Sequence, residues 1–188
     1  MKKLFRSYLT FLLMGALLTT TACKDDDDPD PTDEGEVITT VTLSLTPEGK
    51  GQDASATINA ITGTPVQNSP LTLKANTTYN ATITLTDESK TPAVNITDEV
   101  KTEGDEHLFV YTFTPETGST ASVGVEIKDK DTKNQPIGLE TTITTGPNPG
   151  AGKLRVVLKH QPGGLKTGTN TTAGETDVDV SFNTIVQQ

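Results

Sequence analysis

The chain has 188 residues, a formal net charge of −10 and one cysteine. An acidic chain without a basic stripe is a poor partner for nucleic acid or for an anionic lipid surface. One cysteine excludes an intramolecular disulfide, so the fold must stand on its packed core.

The first element is a signal. Lys2, Lys3 and Arg6 give a positive start, and an apolar stretch runs from Leu9 to Leu18, interrupted by Thr10. Thr19-Thr20-Thr21-Ala22 follows, ahead of Cys23. Spanning a bilayer takes about 20 apolar residues, so residues 1–22 are predicted to be a cleaved export signal. Residues 24–36 then hold eight acidic residues and one lysine, with Pro29, Pro31 and Gly35 among them. Dense like charge cannot bury a core, which predicts a disordered, extended linker over 23–36. Without Lys2, Lys3 and Arg6 the net charge falls from −10 to −13, of which −7 lies in the linker and −6 in residues 37–188.

From residue 37 onward, apolar residues recur with a period of two, the signature of half-buried strands. Val37, Thr39, Val41, Leu43 and Leu45 share one face of a first strand, and Tyr79, Ala81, Ile83 and Leu85 share one face of 77–86. Over 107–113, His107, Phe109, Tyr111 and Phe113 alternate with Leu108 and Val110, predicting a strand buried on both faces. Val123, Val125 and Ile127 mark another strand; Leu154, Val156, Leu158 and His160 the next; Val178, Val180, Phe182, Thr184 and Val186 the last. Weaker strands are expected at 54–61, 70–74, 93–98 and 138–145. Threonine, 36 of the 188 residues, suits strands through its stiff β-branch. No helical stripe is visible after residue 30. Short strands separated by Gly and Pro predict an all-β fold, an antiparallel β-sandwich over 37–188. Two small sandwiches meeting near 115–122 are the alternative.

Chemistry-bearing residues are few. His107 opens one predicted strand and His160 closes another. If those strands are antiparallel neighbours, both imidazoles lie at one sheet edge beside Asp105 and Glu106. Two histidines with one or two carboxylates suit zinc or a similar divalent metal. The competing reading makes His160 the end of an apolar face and His107 a surface residue. No other cofactor is implied. Asp129-x-Asp131-x-x-Asn134 fails as a calcium loop, because Lys133 holds the fifth position and no glycine the sixth, and it reads as a polar turn. No Gly-x-Ser-x-Gly elbow is present, and no enzyme activity is expected.

Three resemblances add to this reading. Ala22-Cys23 after an apolar stretch resembles a bacterial lipoprotein signal, which implies a diacylglyceryl group on the Cys23 thiol and cleavage before it. Thr20 stands where such signals usually carry leucine. Ordinary cleavage after Ala22, leaving a free thiol, is the other reading. Lys24-Asp25-Asp26-Asp27-Asp28 resembles the surface-export tag of Bacteroidetes-type lipoproteins, which implies display on the outer leaflet of the outer membrane. A plain solvated spacer is the alternative. Leu71-x-Leu73-x-x-x-Thr77-x-Tyr79-x-Ala81-x-Ile83 resembles the strand entry of immunoglobulin-like domains, where a tyrosine closes a corner.

The whole domain also resembles a group of Bacteroidetes lipoproteins, some labelled as a type 1 periplasmic-binding fold. The resemblance rests on 71–79, Thr86-Asp87-Glu88-Ser89, Asp105-Glu106-His107 and Gly174-Glu175-Thr176-Asp177-Val178. That α/β label does not fit a chain without helical periodicity. The expectation is therefore a lipid-anchored, non-enzymatic binding domain, with the membrane as one partner and an outer-membrane receptor as another. Capture of a divalent metal through His107 and His160 is the alternative.

Overall fold

The structure, a computed structural model, describes residues 37–188. The predicted signal, Cys23 and the acidic linker lie outside the described residues. In chain order the elements are β1 (Thr40–Pro47), β2 (Ala54–Asn59), β3 (Pro65–Gln67), β4 (Leu71–Lys74), β5 (Thr78–Asp87), β6 (Val94–Asn95), α1 (Thr97–Thr102), β7 (His107–Pro115), β8 (Val123–Ile127), β9 (Glu140–Thr145), β10 (Gly150–His160) and β11 (Glu175–Gln187).

They form two sheets. The larger has the order β3-β2-β1-β5-β9-β8, with β6 also paired to β5; the smaller has the order β4-β11-β10-β7. The sheets pack face to face because each strand turns its alternate apolar residues inward. In β5 the residues from Tyr79 to Leu85 alternate between buried and exposed, and β11 alternates in the same way from Val178 to Val186. Leu43, Leu85 and Ile143 of the larger sheet meet Phe109, Leu154, Leu158 and Phe182 of the smaller in one core. Burying each such side chain contributes roughly 1.5–3 kcal/mol, which is how a chain without disulfides holds together. No boundary falls at 115–122: β5, before that segment, pairs with β9 beyond it, and β7 pairs with β10.

The all-β sandwich is the expected fold, with three local departures. The β4–β11 pair is parallel, where an antiparallel sandwich is predicted. β3 has three exposed residues and no alternation to reveal it. The strand expected over 93–98 is only two residues long and gives way to α1. Asn95 Oδ1 accepts the Thr97 amide at 2.9 Å just ahead of this helix. Asp98 and Glu99 lie in its first turn and Lys101 in its last, matching the helix dipole. With Val100 as its one buried residue, α1 is too short to show a stripe.

Candidate functional site

β10 and β7 are antiparallel neighbours in a register that sets His160 opposite His107. The same register pairs Leu158 with Phe109 and Val156 with Tyr111, so the histidines prolong the apolar inner face of the smaller sheet. Their rings stack with centroids 4.9 Å apart and planes 11° from parallel. His107 is buried, with 1% of its surface exposed, so it is not the surface histidine of the competing reading. Its Nδ1 lies 3.1 Å from the Glu103 carbonyl oxygen. His160 Nε2 lies 3.6 Å from Glu106 Oε2, and both side chains are partly exposed.

This arrangement corrects the metal expectation. A metal bound by an imidazole lies in the ring plane, about 2.0–2.1 Å from the nitrogen. Stacked, nearly parallel rings have no such point in common. Asp105 is also turned away: its Oδ2 accepts Lys133 Nζ at 2.9 Å. That bond, reinforced by the lysine charge, holds the Asp105 carboxyl below the usual carboxylate range. Among the described residues, no three His, Cys, Asp or Glu side chains are grouped to hold a metal. His107, His160, Asp105 and Glu106 are brought to one end of the sheet and form a packed cap there.

The Asp129–Asn134 turn and the 161–174 loop close over that end. Asp129 accepts the Gly138 and Leu139 amides at 2.9 and 3.0 Å. Asp131 accepts the Lys133 and Gln135 amides at 2.8 Å each through Oδ1, and Lys166 Nζ at 2.9 Å through Oδ2. Lys166 Nζ also donates to the Gly104 carbonyl. Both side chains of the Lys166–Asp131 pair are 1% exposed. Burial alone would raise the Asp131 pKa; the amide donors and Lys166 outweigh it and hold it below the ordinary value. Lys159, on the outer face, donates to the Gly174 carbonyl and to Thr176 Oγ1. The carboxylates of this turn thus fix loops, as a polar turn requires. Sequence reasoning did not find Lys166, because its partners are 35 and 62 residues away.

At the opposite end of the smaller sheet, the β1–β2 loop, the 68–70 segment and the end of β4 border a cleft of about 590 Å³. Lys50 and Lys74 line it, as do Gln52, Asn68 and Gln187. Both lysines also line an adjoining hollow with Thr77 and Thr78. Tyr79 forms part of the wall, 2% exposed, and its hydroxyl accepts the Lys74 amide at 2.8 Å. That bond ties the start of β5 to the end of β4. No family model matches the chain, and no curated protein or solved structure matches it either.

Proposed function

We propose that this chain is a lipid-anchored lipoprotein of the outer membrane, displayed at the cell surface, whose sandwich binds a partner and is not an enzyme. The observation that carries the anchor is Cys23: the sole cysteine, closing a signal-like stretch and opening an acidic run. A lone cysteine in an exported chain calls for an explanation, and lipid attachment supplies one. A single acyl chain holds a protein only marginally, so the mature N-terminus needs more than one.

The sandwich supports the binding half of this reading. β1 starts at Thr40, near the junction with the linker, and ends at Pro47, which lines the 590 Å³ cleft. Eight strand residues span about 26 Å, so the cleft lies that far along β1 from Thr40. Its volume falls within the usual range of small-ligand sites, roughly 300–1,000 Å³. The two imidazoles, by contrast, stack on each other in the cap at the other end. An outer-membrane receptor is the partner this placement suits, with the chain as its accessory.

Radiolabelled fatty acid should enter the wild-type chain and not Cys23→Ser. Replacing Asp25–Asp28 with alanine should keep the label but abolish cleavage by proteinase added to intact cells. Label in Cys23→Ser would sink the anchor, and unchanged cleavage in the alanine variant would reduce the acidic run to a spacer.

A further inference from the structure

We infer that the corner of the sandwich where β1 begins docks on a lipid surface, with Val37, Ile61 and Val94 entering the membrane interface beside the tether. The inference rests on the lipid-anchor reading above and adds to it a second, apolar contact that sets how the domain stands on the membrane.

Exposure is the first argument. Among the described residues six large apolar side chains are exposed, and Val37, Ile61, Val66 and Val94 are four of them. The other two, Leu165 and Ile185, belong to the smaller sheet and its β10–β11 loop. The four adjoin because strand ends converge. The Ala60 amide donates to the Thr39 carbonyl at 2.7 Å, and the Thr39 amide to the Thr86 carbonyl at 3.0 Å. The next residue, Asp87, is paired with Val94. Ile61 therefore lies one strand from the start of β1 on one side, and Val94 two strands from it on the other, about 10 Å at the usual strand spacing. Val66 stands one strand beyond β2, on β3. Ile61 is the most exposed of the set, at 72%. A contiguous apolar patch marks a protein or membrane contact, whereas singly scattered residues mark nothing.

Charge is the second. Residues 37–47 and 54–73, which hold β1, β2 and β3, contain no charged side chain, although 21% of the chain is charged. In the β5–β6 loop Glu88 and Lys90 offset each other. Asp87 is buried and accepts the Ser89 amide and hydroxyl. Asp98, Glu99 and Lys101 of α1 follow beyond Val94 as a polar rim. The attraction of such a corner to lipid is apolar and not electrostatic.

Position is the third, and it selects lipid over a protein. Val37 belongs to the patch and is also the residue at which the domain joins 24–36, the thirteen residues that follow Cys23. Thirteen residues span at most about 45 Å. Acyl chains on Cys23 thus keep the patch within that reach of the bilayer, and a tethered contact needs far less intrinsic affinity than a free one. A protein partner has no such link to this corner. Docking here leaves the cleft, at the other end of β1, clear of the lipid.

The chain has no tryptophan, so Ile61→Trp and Lys153→Trp each carry a single reporter. The Phe109 amide donates to the Ile137 carbonyl and the Ile83 amide to the Leu139 carbonyl, which sets the start of β7 and the end of β10 at the patch's end of the sandwich. Lys153, exposed near the start of β10, is at the other. The chain purified from cells is reconstituted in phosphatidylcholine vesicles, with and without acyl-brominated phosphatidylcholine. Brominated lipid should quench Ile61→Trp at least about twofold and Lys153→Trp less than about 1.2-fold, since interfacial insertion reaches only ~5–10 Å into the headgroup–acyl boundary. Adding Val37→Asp and Val94→Asp to Ile61→Trp should abolish most of the quenching. No quenching of Ile61→Trp, equal quenching at both sites, or quenching that survives both aspartates overturns the inference. An Ile61→Trp emission shift that grows with protein concentration in the absence of lipid assigns the corner to a second copy and overturns it too. The anchor is read separately, by fatty-acid labelling. If Cys23 carries no fatty acid, its thiol is coupled to maleimide-headgroup lipid in the same vesicles, so the corner is tested whichever way the anchor falls.

Discussion

Lys166→Met should remove about 3 kcal/mol of stability. Nζ of Lys166 makes two hydrogen bonds, one to Asp131 Oδ2 and one to the Gly104 carbonyl, beneath a surface that leaves both charged side chains 1% exposed. A hydrogen bond to a charged partner contributes roughly 1.5–3 kcal/mol and one to a neutral carbonyl about 1. Stranding a buried charge raises the cost to about 3–5 kcal/mol. The Gln135 and Lys133 amides still serve Asp131 Oδ1 in the variant, which places the expectation at the lower end. With a urea slope of about 2 kcal/mol/M, the unfolding midpoint should fall by roughly 1.5 M. Adding Asp131→Asn should recover part of the loss, because no unpaired carboxylate remains.

The pH dependence has a definite sign. The folded-state pKa of Asp131 is lowered, so the pair's contribution is complete above the unfolded value, about 3.9, and disappears as pH falls through the folded value. The gap between wild type and Lys166→Met should therefore close below about pH 4. Arg155–Asp179 is the built-in comparison: a pair of 2.5 Å whose side chains are about half exposed, so that Arg155→Ala should leave the midpoint nearly unchanged. A shift in Lys166→Met no larger than in Arg155→Ala, or a gap that persists undiminished into strong acid, would refute the reasoning.

Tyr79→Phe removes the acceptor for the Lys74 amide and should cost about 1–2 kcal/mol, with faster hydrogen exchange at that amide. Unchanged exchange at Lys74 would show that the hydroxyl does not fix the cleft wall. Gly174→Ala combines a φ of +77° with a Cβ that would sit 2.0 Å from the His160 carbonyl oxygen. It should cost well over the ~1 kcal/mol expected of Gly163→Ala, whose φ is +64° but whose Cβ would meet nothing within 4 Å. Thermal midpoints of the two variants check this, and equal losses would count against the clash.

Strands were legible where one face met the core and the other met water. β5 and β11 follow that rule along nearly their whole length, so period two located them to within a few residues. β3 escaped because it buries nothing, and α1 because its signals are short-range: Asn95 before it, then Asp98, Glu99 and Lys101 in dipole order. The histidine pair was legible only as a condition: once β7 and β10 are antiparallel neighbours, which the pattern does not fix, their register sets His160 opposite His107. Ring stacking and the loss of Asp105 to Lys133 were not, because Lys133 arrives from a turn 28 residues along the chain.

The cleft was hidden for a topological reason. β4 and β5 are separated by three residues, and nearby strands so joined most often pair. Here they belong to different sheets: β4 lies parallel to β11, while β5 joins β1 and β9. The chain changes sheets at 75–77, Thr145 ties the corner through both Lys74 and Thr77, and Tyr79 reaches back to the Lys74 amide. That crossover sets Lys74 on one sheet and the β1–β2 loop, with Lys50, at the end of the other. A β4–β5 hairpin would have put Lys74 in the larger sheet and left no open seam. Period-two patterning cannot distinguish the two arrangements, because it fixes which face of a strand is buried and not which strand lies beside it.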